Sequence, residues 1–574
     1  MRRMLFLMKI CLPVLLMMLV SGCSKTKNQT PDRDSPLYSD GIPRLEKHGT
    51  TTRLVVDGEP FLMISGELHN STAGGFRSMR SVWERLSRYN LNSVIATVSW
   101  ELVEPAEGRF DFSLVDSAIY GARNANLRLI LIWFGSWKNG GSVYIPSWVK
   151  KDYTRYPRAR DENGKPLEIL STFGNASAEA DAKAFAALMH HIRQIDSLQQ
   201  TVVMMQVENE VGLLDHSGKT PGNARRDFSE PANKAYNNEV PKELMDYLVE
   251  HKDNLFPDLF RVWAKNGFKT SGSWENVFGK SEFRGDREKW KYYSYFTEEL
   301  FMAWNYARYI GQVAASGKRE YPLPMYVNAW LKQSSTAWPG RYPSGGPLPQ
   351  VIDIWRAAAP SIDFIAPDIY IDEFKWVCEE FTRSSNPLFI PETRGGKIGA
   401  MRAFFAIGEF NAGLFAPFGI DDELNDENAL LKETYAVLQN MSPIILDNQG
   451  MGTMRGMLTD AKSPVQLFEL GEYKIEARFS GGGRSSAGGG LIIQTGQQEY
   501  IAAGKDLDIF FIPKNDSLRI AVDAVDEGLF EGEKWIPERR LNGDEVHAST
   551  WSGTGLKLPG GKISIQKISL YRYK

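Results

Sequence analysis

Between about residues 50 and 420, short solid runs of β-branched and aromatic residues alternate with longer stretches whose apolar positions recur at helical spacing. Runs that are predominantly apolar, without strict alternation, suit strands covered on both faces, as in a parallel sheet wrapped by helices. Eight such runs are predicted as strands, at 61–65, 93–98, 128–134, 201–207, 325–329, 364–369, 388–391 and 413–417. Amphipathic stretches such as 180–198 and 398–410 are predicted as the helices between them. Eight βα units in succession predict an α/β fold, a (β/α)8 TIM barrel occupying 43–445. The fourth and fifth strands are separated by 213–322, which predicts an insertion with its own helices at 242–266 and 289–316.

Past a helical pattern at 427–440 the period changes. From 451 to 574 apolar residues recur at every second position, as in 473–479, 490–494, 507–512 and 562–571, with glycine-rich breaks between the runs. This predicts a C-terminal all-β, sandwich-like domain. The segment 480–490 (SGGGRSSAGGG) is followed by no helix, so it is predicted as a turn or loop rather than a phosphate cradle. The tail shows no chemistry of its own, which favours packing on the barrel over binding sugar.

The N-terminus carries Arg2, Arg3 and Lys9 ahead of an apolar run at 10–20, too short to span a bilayer. The run ends in Val20-Ser21-Gly22-Cys23, which resembles a bacterial lipoprotein cleavage site. Residues 1–22 are therefore expected to be a signal peptide, Cys23 the lipidated residue and 23–42 a polar tether. Ser-Lys-Thr-Lys follows Cys23 with no acidic cluster, and the expectation is an outer-membrane lipoprotein facing the periplasm.

Composition narrows the chemistry. A formal net charge of −3 over 574 residues leaves no basic field for nucleic acid. Seven His, none in His-x-His spacing, and three Cys, of which Cys378 alone would stay a free thiol after lipidation, predict neither a metal site nor a disulfide framework. No cofactor is expected. Cys378 falls in a helical-looking stretch, 374–381, and reads as a buried structural thiol. Fifteen Trp and 22 Tyr tilt the balance slightly toward carbohydrate, because aromatic faces stack on sugars as well as filling cores.

Catalytic groups of barrels sit at the C-terminal ends of strands. Two predicted strands end in a carboxylate: the fourth at Glu210, the seventh at Glu392. Strands four and seven face each other across an eight-strand ring. Glycoside hydrolysis needs two such groups, one protonated to assist the leaving oxygen and one ionised to attack or stabilise the anomeric carbon. Asn209 is placed to donate to a sugar 2-hydroxyl, and Tyr370, at the end of the sixth strand, to donate to Glu392 and keep it ionised.

Gln206-Val-Glu-Asn-Glu210-Val-Gly212 resembles the QxENEYG segment of glycoside hydrolase family 35 β-galactosidases. Gly66-Glu67-Leu68-His69 resembles their GEIHY segment, and 92–112 resembles NTVxTYVFWNxHEPxxGxYDF. The resemblance implies Glu210 as acid/base, Glu392 as nucleophile, and an exo-acting retaining β-galactosidase. The closest likeness is to the bacterial lipoprotein subgroup that trims galactose from xyloglucan and related plant polysaccharides, pectin side chains included. Glu67, Trp137 and Asn139 join Asn209 and Tyr370 as candidate sugar contacts. Three positions depart from the family: Val211 replaces an aromatic, Asn70 a Tyr, and 134–140 lacks the CAEW motif. All lie near the non-reducing sugar, so β-glucosaminidase and α-L-arabinopyranosidase remain alternatives, with a non-catalytic glycan-binding lipoprotein behind them.

Other residues read more blandly. Glu208 is expected to share a strand face with Glu210 one layer deeper, as a structural hydrogen-bond acceptor; Lys138 is expected in solvent and His69 as a rim histidine. Trp330 and Trp338 suit an aglycone platform or the core equally.

Overall fold

Eight short strands form one parallel sheet in a computed structural model of the chain: Met63–Ile64, Ser93–Ser99, Arg128–Lys138, Val202–Asn209, Met325–Trp330, Phe364–Ile369, Phe389–Thr393 and Leu414–Pro417. The structure describes residues 41–574 except 216, 218, 220–221, 282–296, 335–336, 423–425, 483–486, 516–518, 533, 542 and 550–552. The expected signal peptide, Cys23 and all but the last two residues of the tether lie outside the described residues. Among the described residues no helix is long and apolar enough to cross a membrane.

The sheet closes on itself. Its first and second strands meet through the parallel bridge Glu67–Ile95, where the Ile95 N–H donates to Gly66 at 2.9 Å and the Leu68 N–H to Ile95 at 3.0 Å. Helices follow the strands in turn: Phe76–Leu86, Ser113–Asn124, Asn175–Asp196, Thr297–Glu320, Ile352–Ala358, Phe374–Phe381, Gly396–Phe410 and Asp426–Asn440. The result is a (β/α)8 barrel. Ile95, Ile132, Met204, Tyr326, Phe364 and Phe389 fill its interior, and Leu54 and Val56 of an N-terminal antiparallel sheet join that cluster. Leu129, Trp133, Phe185, Leu188 and Ile310 belong to the helix-facing core.

Two expectations about the long stretch after strand four change. Thr297–Glu320 packs against Asn175–Asp196 and is the fourth barrel helix itself, so the inserted part is the stretch before it. The single helix expected at 242–266 is two helices, Lys242–Glu250 and Pro257–Lys265. Pro257 cannot sit inside a helix without losing a hydrogen bond, but it suits a helix start.

The tail forms two antiparallel sheets. One has six strands, Met454–Thr459, Gly488–Gln494, Glu499–Lys505, Ser564–Tyr573, Arg519–Glu531 and Lys534–Leu541 in spatial order; the other has five, Val465–Leu470, Tyr473–Phe479, Leu507–Pro513, Gly553–Leu558 and His547–Ser549. Met457, Ile475, Ile492, Ile509, Leu556 and Ile568 form the core between them, which makes the tail a sandwich. The last residues of the expected 480–490 loop are strand, beginning at Gly488.

The sandwich packs on the barrel as part of one compact unit, Gly41–Lys574. Its strands Met454–Thr459 and Gly488–Gln494 lie on the helix Gly396–Phe410. Gly408 permits the approach: a Cβ there would stand 2.8 Å from Leu491 Cβ and 3.0 Å from the Arg455 carbonyl oxygen. Arg455 donates to both oxygens of Glu409, at 2.8 and 2.7 Å. Gly408→Val is expected to destabilise by about 1–3 kcal/mol through overpacking against backbone that cannot yield. Chemical denaturation checks this; an unchanged midpoint would show that the two surfaces do not bear on each other.

Candidate active site

The mouth of the barrel holds a cavity of about 310 Å³ lined by Asn139, Glu210, Trp330, Leu331, Gln333, Asp368, Tyr370 and Glu392. Glu392 lies on strand seven, and Glu210 is the residue just past strand four. Each offers a carboxylate oxygen to a group in which Glu210, Asp368 and Glu392 lie within 4.8 Å of one another. Tyr370 Oη donates to Glu392 Oε1 at 2.5 Å.

The end of strand four is bent to present Glu210. Glu208 and Glu210 take left-handed φ of +64° and +46°, which side chains other than glycine seldom adopt and which is held here by surrounding bonds. The Glu210 N–H donates to Asn328 Oδ1 at 2.9 Å, and the Asn139 and Gly140 N–H groups donate to the carbonyls of Asn209 and Glu210 at 3.1 and 3.2 Å. Strand three's end is thereby stitched to strand four's.

The same bend overturns the placement expected for Glu208. Its carboxyl turns toward the helix Asn175–Asp196 and accepts the N–H groups of Ser136 at 3.0 Å and Trp137 at 2.7 Å. It also hydrogen-bonds Asp181, which accepts the Trp133 indole N–H at 2.8 Å and the Ser136 hydroxyl at 2.6 Å. Burial pushes both carboxyls up, so the pair shares a proton. Gly135 makes room: a Cβ there would stand 2.5 Å from Glu208 Oε1 and 2.8 Å from Asp181 Oδ1.

Trp137 is not a sugar contact. Its side chain is fully buried, its ring packs edge-on against Tyr306 and Tyr309 with centroids 4.9 and 4.5 Å away, and its indole N–H donates to the Leu170 carbonyl at 3.2 Å. The bulge that shifts register between Trp133 and Lys138 turns it out of the mouth. Lys138, expected in solvent, is half-buried, and its positive charge acts on Glu67, Glu210 and Glu392. Asn209 stands behind the cavity wall, donating to Asn139 Oδ1 at 3.0 Å and accepting from Gln206 at 3.0 Å. Glu67 is buried, and burial together with the charges of Glu392 and Glu210 holds its carboxyl well above the usual range. His69 is paired with Asp421, 3.0 Å from Nδ1. Trp330 lines the cavity, whereas Trp338 does not and instead faces the Arg341 guanidinium at 5.3 Å. Cys378 is buried, which pushes its thiol up and away from nucleophilic use.

The electrostatics separate the two facing carboxyls. Burial raises both, but Tyr370's hydrogen bond and Lys138's charge oppose the rise at Glu392. Glu210 is pushed up to about 8 by burial and by the charge of Glu392. Glu392 thus ionises first and leaves Glu210 protonated near neutral pH. Sequence reasoning left Asp368 and Asn328 unassigned. The signal for Asp368 was present, because residues two apart on a strand share a face and Tyr370 marks that face.

A parallel barrel whose fourth and seventh strands bring an acid and a carboxylate together has the arrangement that glycoside hydrolysis uses. Residues 53–312 match the family described as Glycosyl hydrolases family 35. Residues 431–552, which take in most of the sandwich, match a family described as Domain of unknown function (DUF5597). A β-galactosidase of Xanthomonas manihotis is 31% identical over 179 residues, 29% of this chain and 27% of that protein. A β-1,2-glucosyltransferase of Ignavibacterium album is 24% identical over 288 residues, 46% of this chain and 36% of that protein. The chain thus spans about a third or less of the length of these curated relatives. Among solved structures, a β-galactosidase of Bacillus circulans sp. alkalophilus superposes with TM-score 0.45 at 15% identity, covering 67% of this chain and 57% of that one.

Proposed function

We propose that the barrel is a retaining, exo-acting β-galactosidase that removes terminal non-reducing β-D-galactosyl residues from plant-type oligo- and polysaccharides such as xyloglucan or pectin side chains. The observation that carries this reading is the approach of the Glu210 and Glu392 carboxyl groups, with oxygens within 4.8 Å in a cavity of about 310 Å³. Inverting enzymes hold the two groups roughly 6.5–9.5 Å apart to admit a water, and the retaining spacing is about 5–5.5 Å. A cavity of this size suits one sugar ring rather than a run of chain, which supports exo action. The family and the β-galactosidase of Xanthomonas manihotis support galactose as the sugar.

In this reading Glu392 attacks the anomeric carbon while Glu210 protonates the departing oxygen, giving a glycosyl ester on Glu392. Glu210, now ionised, takes a proton from water as the water oxygen attacks the ester-bearing carbon. Asn139 and Trp330 border the bound ring, and Glu67 faces the two catalytic carboxyls. Glu210 and Asp368 hold protons and so make poor cation ligands, which suits this group of three carboxyls to acid–base work better than metal binding, and hydrolysis is expected to survive EDTA. Initial rates on nitrophenyl β-galactoside, β-glucoside, β-glucosaminide and α-L-arabinopyranoside test the assignment. The galactoside should be fastest; no hydrolysis of any would overturn it, and a faster glucosaminide or arabinopyranoside would reassign the sugar.

The alignment to the glucosyltransferase of Ignavibacterium album covers more of the chain than the β-galactosidase alignment does. It favours a second reading, in which a sugar hydroxyl intercepts the ester in place of water. Product analysis with added sugars distinguishes the two.

The acid must hold its proton, and it loses that proton as pH rises. With Glu210 pushed up to about 8, kcat/KM for substrates with poor leaving groups is expected to fall above about pH 8. A limb near the ordinary carboxylate range would contradict Glu210 as the acid.

Val20-Ser-Gly-Cys23 supports a lipid-anchored protein at the outer membrane, facing the periplasm. Cys23→Ser is expected to move the protein from the membrane fraction to the soluble one. Unchanged fractionation would remove the anchor from this account.

A further inference from the structure

Strand six carries a third carboxyl into the cavity. Asp368 precedes Tyr370 by two residues and leaves the strand on the same face. It is the cross-strand partner of Glu392, and its carboxyl meets those of Glu210 and Glu392 within 4.8 Å. It is 2% exposed. Oδ2 accepts the Asn328 amide at 2.7 Å, while Oδ1 is buried and meets no donor.

An ionised Asp368 would leave Oδ1 stranded beside acidic neighbours. Glu392 on strand seven, Glu210 on strand four and Glu67 on strand one all face it, and each would repel its charge. The remaining neighbours, Asn328, Tyr326 and Tyr370, are neutral. The nearby positive charge of Lys138 acts on Glu67, Glu210 and Glu392, while the largest charge effects on Asp368 come from those three acids. Like charges on adjacent strands destabilise a sheet, and a buried unpaired charge reverts to its neutral form.

We propose that Asp368 is a positioning residue that keeps its proton throughout the reaction and donates it as a hydrogen bond to Glu210. The inference rests on the glycosidase reading for its purpose. When Glu210 has given its proton to the leaving oxygen, the Asp368 O–H holds the resulting carboxylate in place. Glu210 then recovers a proton from water, the C–O bond to Glu392 breaks with its electron pair returning to Glu392, and Asp368 exchanges nothing. Strand six thus serves both groups: Tyr370 holds Glu392, and Asp368 holds Glu210. Burial and the charges of its neighbours also push the Asp368 carboxyl well above its usual range.

The test is the alkaline limb of kcat/KM, which reports Glu210, in two variants. Asp368→Asn replaces a neutral donor by a neutral donor, so the limb should stay within about 0.3 pH unit even if the rate falls; Asp368→Ala removes the donor from ionised Glu210 and should raise the limb by about one unit. If Asp368 were ionised, Asp368→Asn would remove a neighbouring negative charge and lower the limb by about a unit, which overturns the proposal. A limb unmoved in both variants overturns it as well. Infrared difference spectra of wild type against Asp368→Asn need no activity: a protonated-carboxyl band present only in wild type is expected, and its absence refutes the proton's placement. A wild type that hydrolyses none of the four aryl glycosides counts against the glycosidase reading, while the infrared band still decides where the proton sits.

Discussion

Glu392→Ala is expected to lose hydrolysis of every substrate by on the order of 10⁴-fold or more, because no other group can form the glycosyl intermediate. Azide fits the space vacated and should restore part of the rate, leaving an α-glycosyl azide. Glu210→Ala should behave differently. General acid–base assistance contributes about 10²–10⁴-fold, and a nitrophenolate leaving group hardly needs it, so aryl glycosides should retain more activity than natural ones. Azide then attacks the glycosyl ester and gives the β-glycosyl azide. The difference follows from the electrostatics of the site: Tyr370 and Lys138 favour charge on Glu392, while burial and that charge leave the proton on Glu210. NMR of the azide products checks the assignment, and exchanged anomers would reverse the two roles.

Trp137→Ala is expected to destabilise the protein by about 3–5 kcal/mol, the cost of emptying a fully packed aromatic site. The ring is 0% exposed and wedged against Tyr306 and Tyr309, and its indole donates to Leu170. Loss of the ring also slackens the end of strand three, whose backbone N–H groups at Ser136 and Trp137 hold Glu208. Equilibrium denaturation should show the loss directly. A variant of unchanged stability with a raised KM would instead restore Trp137 as a sugar contact.

The barrel was legible because its strands are buried on both faces. Largely apolar runs such as 202–205 mark them with little ambiguity, and Glu210, just past strand four, and Glu392, on strand seven, stand out as carboxyls against that background. What pattern could not convey was local departure from regular geometry. Left-handed φ at Glu208 and a bulge after Trp133 break the alternation of faces, which sends Glu208 toward the helices and Trp137 into the core. Asp368 escaped for another reason: its spacing from Tyr370 marked its face, but which acids it meets there depends on its cross-strand partner, and register is not written in one strand's sequence. The split at Pro257 was foreseeable from the proline; the assignment of Thr297–Glu320 to the barrel required knowing that it packs on Asn175–Asp196.

The helix Gly396–Phe410 begins three residues after the strand that carries Glu392, and its far end is bolted to the sandwich through Gly408 and the Glu409–Arg455 pair. This sets where the chain can be cut and rejoined. A chimaera that exchanges only the all-β tail would bring a foreign surface against Gly408 and orphan Glu409, whereas one joined just before residue 396 would carry the helix with the sheets it was shaped to meet. The natural unit of exchange therefore reaches back inside the barrel. Any loosening that starts in the sandwich has a mechanical path, one helix long, to the strand that holds Glu392.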